Sequence, residues 1–178
     1  MKKIWDVDLF AYTFCILFAI AGVLVSLNRF WQYEVFYFDF GIYDQAIWNV
    51  SRFNPPIIEH HIVGGKWIFA DHFNPSLFLL SPFYWLSARN ETLLVVQSVA
   101  VGLSGVVLYR IGKYLLKNKF FALGILTCYL LFLGLQNAVI SDLHDLTVMT
   151  LPLMLTFWAI IHKKIWLYFL FLFITLGL

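Results

Sequence analysis

Apolar and polar residues do not alternate along this chain; they fall in long separate blocks. Residues 9–27 form nineteen mostly apolar positions, about 28 Å of helix and enough to cross a bilayer. Further blocks cover 92–109, 120–140 and 146–161, and a fifth runs over 165–178. That pattern predicts an all-α polytopic membrane protein with a single membrane domain. The last block is too short for a full crossing, so the polypeptide is expected to continue past Leu178. Ala19-Ile20-Ala21 looks like a signal-peptidase site, but Asp6 and Asp8 dilute the basic start and the apolar run continues. The first block is therefore expected to stay as an anchor.

Residues 29–91 are too polar and too broken to span. Within them, 41–53 reads as a helix whose Tyr43, Ala46, Ile47 and Val50 gather on one side. Asn54-Pro55-Pro56 stops it, because neither proline continues the backbone ladder. Segments 57–63 and 66–70, around Gly64-Gly65, predict a small hairpin. Asn74-Pro75 predicts a capped helix start, opening an apolar segment over 76–86 that Pro82 interrupts. In the second span Ser98, Gly102 and Gly105 make a stripe of small residues that admits another helix closely. Pro152 predicts a kink in the fourth.

Composition agrees with the membrane class: 62% of residues are hydrophobic and only 12% charged, more apolar surface than a soluble domain of this size can hide. The two cysteines, Cys15 and Cys128, each sit in an apolar run and read as small hydrophobes. Charge then sets orientation. Lysine and arginine concentrate at Lys2-Lys3, Arg110–Lys119 and Lys163-Lys164, which the positive-inside rule places in the cytoplasm together with the N-terminus. Eight of the ten acidic residues and four of the five histidines then lie outside. Segment 76–86 must rest in the outer interface. The 29–91 loop and the turn Asp142–Asp145 consequently share one membrane face, where their carboxylates and imidazoles can converge on a cavity over the bundle.

The candidate chemistry is concentrated there. Segment 36–49 carries Asp39 and Asp44 among six aromatic side chains. Asp39 is either a general base, a cation ligand or the cap of the helix near Gly41. Asp44 lies inside that helix, as a working carboxylate or on a solvated face. Glu59, His60 and His61 occupy the predicted hairpin, where at most Glu59 and His61 share a side. Asp71-His72 precedes a helix start. Asp142, His144 and Asp145 interrupt two spans, and a helical turn would put both carboxylates on one face. Arg29, Arg52, Lys66 and Arg89 are the outside cations; Arg52 and Lys66 are candidates to hold a phosphate, and snorkelling to headgroups is the alternative for each. No P-loop, dinucleotide fingerprint, nucleophile elbow or zinc-protease motif occurs. No nucleic-acid surface is visible, because the basic cluster lies at a lipid boundary.

The string from Phe38 to Asn49, FDFGIYDQAIWN, resembles the F-D-x-G-I-Y-D-Q-x-x-W signature of domain-of-unknown-function family 2079, predicted membrane proteins of bacteria and archaea. Asp71-His72-Phe73-Asn74-Pro75, Glu91-Thr92-Leu93-Leu94 with Gln97, and Tyr109-Arg110 extend the match over nearly the whole chain. Where that family shows F-H-P-E, this chain has Leu143-His144-Asp145-Leu146: the histidine is kept and the proline is not. The resemblance implies kinship with the GT-C glycosyltransferases, polytopic enzymes with a large first extracytoplasmic loop bearing a catalytic acid. It implies further that Asp39, with Asp44 second, matches that acid. The donor would be a polyprenyl-phosphate-linked sugar, used with or without a divalent cation, in a bacterial or archaeal plasma membrane. Substrate contacts would fall to Arg52, Lys66, Asp71, His72, Asp142, His144 and Asp145. A non-enzymatic protein that handles lipid or assists transport is the competing reading. Against ion-coupled transport, no Asp, Glu, Lys or Arg falls inside a full span, and Gln97 is the deepest long polar group.

Overall fold

A computed structural model describes residues 6–35, 37–58, 67–70 and 73–178. The described chain is helical. Helix α1 (Val7–Trp31) leads to α2 (Tyr37–Ser51), 3-10 turns at Ile68–Ala70 and Pro75–Leu80, and the short α3 (Phe83–Leu86). Then follow α4 (Thr92–Leu116), α5 (Lys119–Leu130), α6 (Leu133–Ile140), α7 (Asp145–Ile161) and α8 (Ile165–Leu176). By length and composition α1 and α4 suffice to cross a membrane; α5 and α6, bent by 52° at their junction, make a third crossing if taken as one span. Helices α7 and α8 are apolar but shorter, at 17 and 12 residues.

Helix α4 is the central post, packed by α1, α5 and α7, with α8 beyond α7. The small-residue stripe does what its spacing predicts. A Cβ on Gly102 would stand 2.8 Å from the Ala19 Cβ and 3.1 Å from the Cys15 carbonyl oxygen, so α1 backbone touches α4 there. Gly102→Ala is expected to cost about 1–3 kcal/mol through overpacking, read as a lowered melting temperature in detergent. Gly124→Ala, whose added Cβ meets nothing within 4 Å, should lose nothing.

The two ends of the bundle differ in charge. At one end Asp8, in the first turn of α1, accepts from the Tyr109 hydroxyl and the Lys113 ammonium, each at 2.8 Å, and pairs with Lys119. At the other end the Trp31 indole donates to Glu91 at 3.1 Å, tying the far end of α1 to the start of α4. The loop elements pack at this second end. Their core is Phe40, Tyr43, Ala46 and Ile47 of α2 against Ile68, Leu77 and Tyr84, with Leu93, Leu94, Leu143 and Val148 of the bundle.

Several expected boundaries shift. The helix expected over 41–53 begins at Tyr37, because Asp39 enters its first turn, where a carboxylate suits the exposed amides. Asp39 therefore does not cap a helix at Gly41. The hairpin reduces, among the described residues, to a single antiparallel bridge between Ile57 and Trp67. Its second arm is instead the 3-10 turn Ile68–Ala70, and no β-strand occurs among the described residues. Segment 76–86 is two pieces, since Pro82 ends the 3-10 turn and starts α3. Asn74 makes no side-chain cap. The third apolar block is broken at Leu131-Phe132, which no proline or glycine signals. Cys15 is buried, whereas Cys128 faces outward from α5.

Candidate functional site

The end of the bundle under the loop is organised by one buried amide. Gln97, wholly buried five residues into α4, donates to the Asp142 carbonyl at 2.8 Å and the Val139 carbonyl at 3.3 Å. Its amide oxygen accepts from the His144 backbone N–H at 2.9 Å. From α1, the Ser26 hydroxyl donates to the same Val139 carbonyl at 2.8 Å. The last carbonyls of α6 have no partners within their own helix, and in an apolar bundle these side chains satisfy them.

The clamped turn presents a paired acid and imidazole. An Asp142 carboxylate oxygen lies 2.7 Å from His144 Nε2; the aspartate side chain is 3% exposed and the histidine 43%. The pair thus has a sheltered base and an accessible ring. Burial pushes the Asp142 carboxyl above its ordinary value, His144 draws it back, and the charge of Asp39 raises it again. That last effect puts half-buried Asp39, on the loop helix α2, within electrostatic reach of a turn a hundred residues on. Asp145 begins α7, its carboxylate receiving its neighbour's amide, Leu146 N–H, at 2.8 Å and the Asn74 side-chain amide. The turn 141–144 is not helical, so Asp142 and Asp145 do not share a helix face; they serve separate partners.

Asp44 belongs to a second group. Five residues beyond Asp39, it stands about 140° further around α2 at 100° per residue. Tyr84 of α3 donates its hydroxyl to the Asp44 carboxylate. The Tyr84 ring meets Trp48 edge-on at 5.4 Å between centroids, and the Arg52 guanidinium lies 4.5 Å over Trp48. Burial pushes Asp44 up to about 6, although the Tyr84 hydrogen bond lowers it and the charge of Glu91 adds to the rise. Asp44 is therefore not on a solvated face.

The structure thus pairs Asp142 with His144, bonds Asp145 to Asn74 of the loop, brings Asp39 within electrostatic reach of Asp142, and sets Asp44 and Arg52 in a separate cluster around Tyr84 and Trp48. Lys66, Asp71 and His72 lie outside the described residues, as do Glu59, His60 and His61. Among the described residues no group of three or more His, Cys, Asp or Glu side chains is placed to hold a metal ion. Asn74 and Tyr84 were not singled out as site residues in the sequence; neither type announces such a role without its partner.

The sequence model of a family described as a predicted membrane protein (DUF2079) matches residues 29–178. The chain belongs to that family. No curated protein and no solved structure matches it. In this DUF2079 protein the matched region starts at Arg29 and includes the loop and turn that build the site.

Between α4, α7 and α8 the DUF2079 bundle opens an apolar groove of about 420 Å³. Its lining includes Ser76, two residues after Asn74, and Val95 and Val96, next to Gln97. Val148, three residues after Asp145, and Pro152 line it on α7.

A titration tests the second cluster. The folded Asp44 group, at about 6, holds its proton above the ordinary 3.8. Its contribution to stability is thus full below about pH 4 and falls as pH rises to about 6, by about 1.4 kcal/mol per unit. Tyr84→Phe removes the hydrogen bond that favours the ionised form, so the Asp44 midpoint should move further up. Isotope-edited infrared spectroscopy of the carboxyl band in full-length protein would read that shift. A midpoint that stays or falls would show that Tyr84 does not govern Asp44.

Proposed function

We propose that this DUF2079 protein is an integral-membrane glycosyltransferase that uses a polyprenyl-phosphate-linked sugar at the extracytoplasmic face. One observation carries the reading: the charge of Asp39 on the loop helix reaches Asp142, the partner of His144, and Val148, shortly after that turn, lines an apolar groove of about 420 Å³. A lipid-linked donor requires that juxtaposition of a lipid berth and acidic chemistry at the membrane boundary. The first-loop position of Asp39 and the GT-C likeness of the motif support the same assignment. So does the separation of the lysine-rich end from the acidic one, which by the positive-inside rule leaves the site outside and the N-terminus in the cytoplasm. In this reading the apolar blocks span a bacterial or archaeal plasma membrane, the bilayer thinning around the shorter α7 and α8.

The chemistry follows from the placements. Asp39 takes the proton of the acceptor hydroxyl as general base. The hydroxyl oxygen attacks the anomeric carbon, the bond from that carbon to the phosphate oxygen breaks, and polyprenyl phosphate leaves with the electron pair, inverting the centre. His144, held by Asp142, orients the acceptor or a cation that neutralises the departing phosphate, with Asp145 beside it. Arg52 and Lys66 are assigned to the phosphate, and Asp71 and His72 to further substrate contacts. The groove takes the first isoprenoid units.

The groove by itself equally suits a protein that binds lipid without chemistry. Purified full-length protein, incubated with a radiolabelled polyprenyl-phosphate sugar, separates the two. Release of polyprenyl phosphate with transfer of label supports the enzyme; stable binding of intact donor with no release supports lipid handling and overturns the transferase.

A further inference from the structure

At the opposite end of the bundle three helices enclose a second recess, about 480 Å³, lined by Tyr12, Arg110, Lys113, Tyr114, Trp158 and His162. It is independent of the site above, being separated from it by the stretch of α4 from Gln97 to Arg110, about 20 Å at 1.5 Å per residue. Arg110, Lys113 and Tyr114 stand at i, i+3 and i+4 on α4, and Trp158 and His162 at i and i+4 on α7, so each helix offers one face to the recess.

The recess is a built one. The His162 ring is stacked on Trp158 at 4.6 Å and lies 4.8 Å from Tyr114. Its Nδ1 is 2.9 Å from the Trp158 carbonyl oxygen. A carbonyl only accepts, so Nδ1 carries the proton and Nε2 is left for another partner. Tyr12 closes the α1 side, edge-on to Tyr109 at 5.8 Å. The charges around the recess do not cancel. Asp8 is shared by Lys113 and Lys119, Asp6 stands at the start of the same helix, and exposed Arg110 reaches no carboxylate among the described residues. Lys163 and Lys164 follow directly after His162.

We infer that this recess binds the phosphate of an anionic phospholipid in the leaflet facing away from the catalytic end. A phosphodiester suits the planar fork of Arg110, with Lys113 as a second charge. Aromatic walls at the membrane boundary hold the glycerol region, and a basic pocket between helices is the usual shape of such a headgroup site. A free phosphate would find the same charges but no use for the aromatic wall or the lipid boundary. Anchoring there would hold the N-terminal end of α1 against the C-terminal ends of α4 and α7.

The test is native mass spectrometry of full-length protein released from mixed vesicles of phosphatidylcholine and phosphatidylglycerol. Bound phosphatidylglycerol should exceed its share of the vesicle. Arg110→Gln should cut that excess about fivefold, as expected for one cation at a lipid surface. Tyr114→Ala, which keeps the charge, should also reduce it. Lys117→Gln removes a charge from the same end without touching the recess, and should leave the excess intact. Equal losses in Arg110→Gln and Lys117→Gln, or no preference over phosphatidylcholine, would overturn the assignment. So would complete displacement by inorganic phosphate, which would mark a soluble anion site. Unchanged melting temperatures verify that each variant is folded.

Discussion

Gln97→Leu should lower the melting temperature of the full-length protein and silence the site together, although no atom of Gln97 faces the groove or the loop acids. Its amide is wholly buried and satisfies the His144 N–H and the carbonyls of Asp142 and Val139. Leucine matches its bulk but offers no polar atom. The His144 N–H and the Asp142 carbonyl then lose their Gln97 partner in an apolar setting, at about 1–3 kcal/mol for each left buried. Relaxation of the turn would recover part of that by letting water in. A net loss of about 3–5 kcal/mol is expected, of which Ser26, still bonded to Val139, spares a portion. The loss is also directional. The turn that carries Asp142 and His144 is released, so turnover is expected to fall with stability. Gln97→Leu with wild-type melting and full transfer would show that the turn holds itself.

The sequence displayed the architecture well, for a physical reason. Apolar blocks report helices directly, and small-residue spacing reports close contact, so the approach of another helix at Ser98, Gly102 and Gly105 could be read, but not that the partner is α1 or that α4 stands at the centre. Lysine clustering reported the two ends of the bundle. The convergence of the loop with the Asp142–Asp145 turn was legible from topology alone. Its mechanism was not, since hydrogen bonds between residues 71 apart, as in Asn74 to Asp145, leave no local pattern. Asp39 and Asp44 looked like one pair in the sequence. Five residues of helix set them on different sides, where Tyr84 bonds Asp44 alone and Asp39 acts on Asp142 only through its charge. The break at Leu131-Phe132 was also invisible, because neither residue resists helix. There Gln136 donates to the Leu130 carbonyl at 3.0 Å, replacing part of what the ladder gives up. The hairpin arm expected over 66–70 misled for the opposite reason: β-favouring Ile68 and Phe69 form a 3-10 turn, with Ile68 packed into the core around Leu77 and Tyr84.

Asp39→Asn should leave the protein folded and abolish transfer. The amide matches the carboxylate in shape, and Asp39 is only half-buried, so the packing of α2 through Phe40, Tyr43, Ala46 and Ile47 is untouched. Removing its charge relieves repulsion on Asp142, whose carboxyl should move back toward the ordinary range, so stability at neutral pH should hold or rise slightly. An amide cannot take the acceptor proton, and losing a general base costs about a hundredfold to ten-thousandfold in kcat, with KM little changed because the donor tail and phosphate contact other groups. Asp44→Asn makes the complementary case. If Asp44 only braces α3 through Tyr84, that variant keeps most of its turnover. If instead Asp44 is the base, wild-type turnover should fall as pH drops through about 6, the value burial gives it. Protonation would then idle the enzyme where Asp39 has no say. A rate limb at that pH with an active Asp39→Asn protein would move the catalytic role from Asp39 to the aspartate beneath Tyr84.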